Sequence, residues 1–126
     1  MTRLQIWKDN LADGLTTWAE SGVNASRSDC HAWGASPNIE FFRTVLGIDT
    51  DAPGFNKIKI EPNLGYLKKA EGTMPHPKGE IKVHYIVDAQ GKCDAVISIP
   101  KGTSGVFVWK GKKYELKNVE IKFEGL

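Results

Sequence analysis

From Phe55 onward, apolar and polar residues alternate with period two, the pattern of strands buried on one face. Ile58 and Ile60 alternate with Lys57, Lys59 and Glu61, and Pro62-Asn63-Leu64-Gly65 is turn chemistry. Tyr66–Thr73 is a less regular strand candidate, after which Met74-Pro75-His76-Pro77-Lys78-Gly79 reads as a break. Glu80–Asp88 places Ile81, Val83, Tyr85 and Val87 on one side and Lys82 and His84 on the other. Ala89-Gln90-Gly91 turns the chain into Cys93–Ile99, where Cys93, Ala95, Ile97 and Ile99 share a face. Ser104–Trp109 and Lys112–Leu116 flank Lys110-Gly111, a tight hairpin loop, and Val119–Phe123 is the last candidate. Six to eight short strands at regular spacing predict a mainly β fold, an antiparallel β-sandwich.

The first part of the chain has helical spacing instead. Leu4, Trp7 and Leu11 fall on one face of a short helix ending near Gly14. Ile39, Phe42, Val45 and Leu46 form a second apolar stripe that stops at Gly47. Its start has two readings: Ser36 caps the helix with Pro37 in the first turn, or a helix from about Asp29 kinks at Pro37. Two helices cannot bury a core between themselves. This short two-helix segment therefore needs a partner, either the sandwich or a larger helical domain.

Charge divides the chain at the same place. Residues 1–52 carry four basic and seven acidic groups, and residues 53–126 carry thirteen and eight. All thirteen basic groups of the second part are Lys, whereas the three Arg and three of the four Trp lie in the first. The expected domains are a helical piece over 1–52 and a sandwich over 53–126, joined near Gly47–Phe55. The lysines form no block of like charges and this half holds no Arg to read bases, so no nucleic-acid partner is expected. Cys30 and Cys93 lie far apart without metal-ligand spacing, and His76 and His84 suggest no ligand, so neither metal nor cofactor is expected. No apolar stretch approaches the length of a membrane span, and Met1–Asn10 lacks a signal-peptide run. The compartment stays open. At 40% hydrophobic and 25% charged residues, the composition excludes a disordered tail, a collagen-like repeat and a disulfide scaffold.

Taken alone, Glu20 is a loop carboxylate beside Ser21-Gly22, His31 lacks further ligands for a metal, and Trp33 opens a helix. Taken in order, three segments resemble one family. Gly14-Leu15-Thr16-Thr17-Trp18-Ala19-Glu20 resembles the Thr-Thr-x-x-Glu segment of bacterial α-L-rhamnosidases, glycoside hydrolase family 78. Ser28-Asp29-Cys30-His31-Ala32-Trp33-Gly34-Ala35-Ser36-Pro37 resembles the His-containing segment opening the last helix of their (α/α)6 catalytic barrel. Gly34 departs from the Ser frequent there. Leu46-Gly47-Ile48, Pro53-Gly54-Phe55 and Ile60-Glu61-Pro62 resemble the passage from barrel to C-terminal β-sandwich. Pro75-x-Pro-x-Gly79-x-Ile81-x-Val83-x-Tyr85 fits that sandwich, with Tyr85 where Trp is common.

The resemblance implies that the two helices are left over from such a barrel. It also implies an inverting glycosidase as the parent, with two carboxyl groups about 6.5–9.5 Å apart around a water. Glu20 matches the general base and His31 a histidine of the sugar subsite. Trp18 and Trp33 are aromatics placed to pack on rhamnose. The family's general acid lies on barrel segments upstream of those matched, so the chain alone is expected to be inactive. Three readings follow: the C-terminal part of a rhamnosidase-like enzyme acting on a rhamnoside-containing glycan, a carbohydrate-binding sandwich, or a structural module stabilising a barrel. Against binding, the β-half has few aromatics for a sugar platform, Trp109 and Tyr114 being its one polar-tipped pair close together. The apolar stripe of Ile39, Phe42 and Leu46, with Trp7, predicts a homo-oligomer through an exposed helical segment.

Overall fold

The computed structural model describes residues 4–22, 26–117 and 119–126. Two compact units meet between Glu40 and Phe41.

In the first unit, α1 spans Gln5–Ala12 and stops where the Gly14 N–H bonds back to the Leu11 carbonyl (3.1 Å). The expected Leu4–Trp7–Leu11 face is not buried as a stripe. Leu4 and Leu11 are exposed, while Trp7 is half-buried and donates its indole N–H to the Gly34 carbonyl (2.6 Å). A single 3₁₀ turn, Ala32–Ala35, precedes α2, Ser36–Glu40, so Pro37 sits in the first turn of α2. Ser36 is itself helical rather than an extended cap.

The second unit opens with a π-type turn, Phe41–Val45, closed by the Leu46 N–H on the Phe41 carbonyl (3.0 Å). The wider winding shifts the phase of the helix, so Ile39, Phe42 and Leu46 do not form one continuous exposed stripe. Ile39 is exposed, but Phe42 packs against the sandwich core and Leu46 lies within it. The Asn63 N–H bonds the Thr44 and Val45 carbonyls (3.2 Å each), taking up groups that a helix end leaves open.

Among the described residues, eight strands follow: β1 Ile48–Thr50, β2 Lys57–Ile60, β3 Lys69–His76, β4 Gly79–Val87, β5 Cys93–Ser98, β6 Ser104–Trp109, β7 Lys112–Leu116 and β8 Glu120–Phe123. They form two four-stranded sheets, β1-β2-β6-β7 and β3-β4-β5-β8, a mainly β sandwich as the alternation predicts. β1 lies within the compositional joint and pairs with β2, Ile48 opposite Ile60. One pairing departs from the antiparallel rule: β2 and β6 run parallel, Lys57 opposite Ser104 through Ile60 opposite Phe107. The intervening chain builds most of the other sheet before returning, which gives the long connection that parallel neighbours need.

The core lies between the sheets. Ile48, Ile58 and Ile60 face Ile81, Val83, Tyr85, Ala95 and Ile97, all buried, with Phe107 and Leu116 fully buried among them. Tyr85 donates its hydroxyl to the Leu46 carbonyl (3.0 Å), tying the π turn to β4, and burial pushes its phenol far above the ordinary range. Cys93 is buried and its thiol is likewise pushed up by desolvation. The Lys110-Gly111 loop has positive φ at both residues (47° and 81°), as a type I′ hairpin requires.

Met74-Pro75-His76 does not break the chain but continues β3 to its end, with Pro75 opposite Glu80. β3 is an edge strand, where a missing N–H removes no ladder bond from the sheet interior. His76 is buried instead of lying in a loop. Its Nδ1 accepts from the Lys78 N–H (3.0 Å), so Nε2 carries the proton donated to the Phe55 carbonyl (2.9 Å). Both nitrogens serve the fold. His84 is half-exposed, with Nδ1 3.3 Å from the Glu71 carboxylate.

Candidate functional site

The residues that matched the rhamnosidase motifs lie together in the first unit. Two segments run side by side there: the Glu20 N–H donates to the Ser28 carbonyl (2.9 Å) and the His31 N–H to the Trp18 carbonyl (2.8 Å). The Thr17 hydroxyl adds a bond to the Asp29 carbonyl (2.5 Å). This pairing brings residues eleven positions apart, Glu20 and His31, to one place.

An open depression of about 730 Å³ is lined by Glu20, His31 and Trp33, together with Trp7, Ile6 and Arg27. Trp33 is 85% exposed, and its ring meets the His31 imidazole edge-on with centroids 6.4 Å apart. Trp18 does not line the depression; it is half-buried and supplies backbone beneath it. At Gly34, a Cβ would come within 2.6 Å of the Ala19 carbonyl and 3.1 Å of Trp18 Cβ. The departure from Ser therefore suits a close approach of backbone in this chain.

Arg27 was invisible to the sequence reading and holds the central carboxylate. Its Nη2 lies 2.6 Å from Glu20 Oε1 and its Nε 3.0 Å from Oε2, a two-point fork. That hydrogen-bonded guanidinium, with a smaller contribution from His31, holds the Glu20 carboxyl below its usual range. Depression of a carboxylate's pKa favours the folded pair above the ordinary value, and the advantage is lost as pH falls through the lowered one. Arg27→Gln is therefore expected to move the Glu20 titration up to the ordinary carboxylate range. Carboxyl-carbon NMR across acidic pH checks this, and an unmoved midpoint would refute the pairing. Among the described residues, Glu20 is the one carboxylate lining the depression, and no group of His, Cys, Asp and Glu is arranged to hold a metal.

In the sandwich, the polar-tipped aromatic pair Trp109 and Tyr114 packs with the core. Trp109 is 9% exposed and stacks on Phe107 (6.5 Å), while Tyr114 packs on Phe107 (5.9 Å) and Phe123 (5.2 Å). Exposed rings of this unit are Phe41 and, in the turn after Gly65, Tyr66.

Among the described residues, eight strands in two sheets form a β-sandwich, preceded by a short helical unit. The model of the bacterial α-L-rhamnosidase C-terminal domain matches residues 47–124, and the chain belongs to that family. An α-L-rhamnosidase of Alteromonas sp. (strain LOR) is 36% identical over 69 residues, which are 54% of this chain and 7% of that protein. The native α-L-rhamnosidase of Aspergillus terreus shares the fold at TM-score 0.79 and 21% identity, over 93% of this chain and 15% of that one. The α-L-rhamnosidase of Dictyoglumus thermophilum superposes at TM-score 0.64 and 27% identity, over 78% and 12%. That of Streptomyces avermitilis, solved with L-rhamnose, shares the fold at TM-score 0.69 and 15% identity, over 90% and 14%. The chain thus spans a small part of the length of each relative.

Proposed function

We propose that this chain is the C-terminal part of an inverting, α-L-rhamnosidase-like glycoside hydrolase, that Glu20 is the general base of the whole enzyme, and that the 126-residue chain alone does not turn over rhamnosides. The observation that carries the reading is the gathering of Glu20, His31 and Trp33 around one depression. A carboxylate offers about four lone-pair positions, so a base forked by Arg27 keeps room to accept a proton from water. His31 bonds a sugar hydroxyl and Trp33 covers the apolar face of the ring, with Trp18 supporting both from below. The substrate is a rhamnoside-containing glycan.

Inversion needs a second carboxyl group about 6.5–9.5 Å from the first. Among the described residues the depression supplies one, which supports an acid contributed from outside this chain. Lack of a general acid removes roughly 10²–10⁴-fold of rate, and loss of preorganised barrel dipoles removes more. Hydrolysis of an aryl α-L-rhamnoside by the purified chain is therefore expected to equal that of Glu20→Gln. Turnover abolished by Glu20→Gln would overturn the inactivity while keeping Glu20 in its role. Turnover equal in both, above a buffer blank, would remove Glu20 from catalysis.

The sandwich acts structurally, packing against a catalytic domain. In the isolated chain, Leu4, Ile6, Leu11, Trp33 and Ile39 of the first unit are exposed, and a second copy covers them. The average mass from light scattering is expected to rise with concentration. A concentration-independent monomer whose N-terminal third resists protease would sink this proposal.

A further inference from the structure

Beyond the motif-bearing unit, the sandwich carries an open groove of about 950 Å³ between the Asn63–Lys68 turn, the β4–β5 turn and the β6–β7 hairpin. No sequence motif or family match assigns it a role. Its volume suits one or two sugar rings rather than the extended track of phosphate contacts that a nucleic acid needs.

The charge in it is held without counter-ions. Elsewhere on the sandwich, Lys59, Lys69, Lys82 and Lys117 each pair with a glutamate two positions away along the same strand or strand end, whereas Lys78 donates to the Gly102 carbonyl (3.2 Å). The two groove lysines are held as Lys78 is. Lys68 donates to the Asp88 carbonyl (3.2 Å) and Lys110 to the Gly91 carbonyl (3.0 Å), and among the described residues neither forms an ion pair. A neutral carbonyl fixes an ammonium without cancelling its charge and leaves two of its three N–H donors for another acceptor. Of the other charged groups lining the groove, Arg43 is engaged by Asp49 (3.0 Å) and Glu61 by Lys59 (2.6 Å). The Asp88 carboxylate of the β4–β5 turn is taken by the Gln90 and Lys92 N–H groups (2.9 and 2.8 Å).

Aromatic surface sits beside these ammoniums. Tyr66 is fully exposed, and Trp109 lies under Lys110, whose Nζ is 5.5 Å from the indole centroid. The Trp109 indole N–H is buried and has no acceptor among the described residues, although such groups normally find one. Fixed cations and a free ring line one groove, which suits a ligand that carries a ring, hydroxyls and a negative charge.

We propose that this groove binds an anionic saccharide, a pyranose unit bearing a carboxylate or sulfate, with Lys68 and Lys110 on the anion and Tyr66 on the ring face. The anionic part of the assignment rests on the groove alone. The saccharide part rests on the reading of the parent as a glycan-acting enzyme. The site is separate from the Glu20 depression, so the two ideas fail separately.

The test is a ¹⁵N NMR titration of the whole 126-residue chain with trigalacturonate, a sulfated trisaccharide, neutral maltotriose, citrate and a short oligothymidylate. Saturable shifts at Tyr66, Lys68, Gly91, Lys110 and the Trp109 indole with either acidic sugar, but not with maltotriose, are expected. Which acidic sugar binds more tightly identifies the anion. Lys68→Gln and Lys110→Gln are each expected to weaken binding about tenfold, the loss of one charged hydrogen bond. Tyr66→Ala is expected to weaken it as well. All three side chains are exposed, so these variants keep the fold. Absence of shifts in the groove, equal binding of maltotriose, or equal binding of citrate or oligothymidylate would overturn the proposal. The last two results would leave a general anion-attracting surface.

Discussion

Gly47→Ala is expected to destabilise the sandwich by about 4 kcal/mol, a large part of the stability of a domain this size. Gly47 has φ of 75°, where a side chain costs about 1–2 kcal/mol. It is also buried, and a Cβ there would land on the Glu61 carbonyl group and the Pro62 nitrogen. Those atoms are backbone and cannot rotate away. The Gly47 carbonyl accepts the Glu61 N–H (2.9 Å) next to the Ile48–Ile60 pairing, so any shift pulls β1 off β2. Gly91 is the control: its φ is 81°, but a Cβ there meets nothing within 4 Å. Gly91→Ala should cost about 1 kcal/mol, the conformational part alone. Urea unfolding of the two variants measures both numbers, and equal losses would mean that the close approach at Gly47 carries no weight.

Phe107→Ala is expected to cost about 3–5 kcal/mol. The ring is fully buried and touches aromatics from both sheets: Tyr85 at 6.4 Å, Trp109 at 6.5 Å, Tyr114 at 5.9 Å and Phe123 at 5.0 Å between centroids. Neighbours fixed on four strands cannot collapse together into the space, so the cavity persists. The β2–β6 pairing should loosen with it, because Phe107 stands opposite Ile60. Hydrogen exchange at Ile58 and Ile60 reports that loosening directly. A loss under about 1.5 kcal/mol, the range of volume-conserving swaps, would mean that the site refills.

Where burial alternates strictly, the strands are legible from sequence alone. β4 and β5 follow from Ile81, Val83, Tyr85, Cys93, Ala95 and Ile97, because each inward position is apolar and each break is a turn, whereas β6, with Phe107, Val108 and Trp109 all buried, is marked by the Lys110-Gly111 turn instead. The parallel pairing of β2 with β6 was not legible, since it joins segments more than forty residues apart and leaves no local pattern. Ile48 was hidden for a different reason. A three-residue strand with one buried residue has no period, and Val45-Leu46 beside it completed a helical one. Pro75 misled because a break in the middle of a sheet is an ordinary residue at its edge.

The candidate site was legible only through motif order. Glu20, His31 and Trp33 share the depression, as segments of one ancestral site would, yet nothing in their own spacing requires it. Arg27 could not be found that way, because it stands seven positions from Glu20 and belongs to none of the matched motifs. Trp109 was legible as an inward position. It has the parity of Phe107 in β6 and is buried with it.

The four outer strands have a consequence for how copies of this chain meet. β1 is three residues long and β8 four, β3 carries Pro75, and β7 begins with Lys112 and Lys113. Short length, a missing donor and repelling charge each deny an incoming strand a place to add. Fibril growth by sheet extension is thereby discouraged at every open edge that the described strands leave.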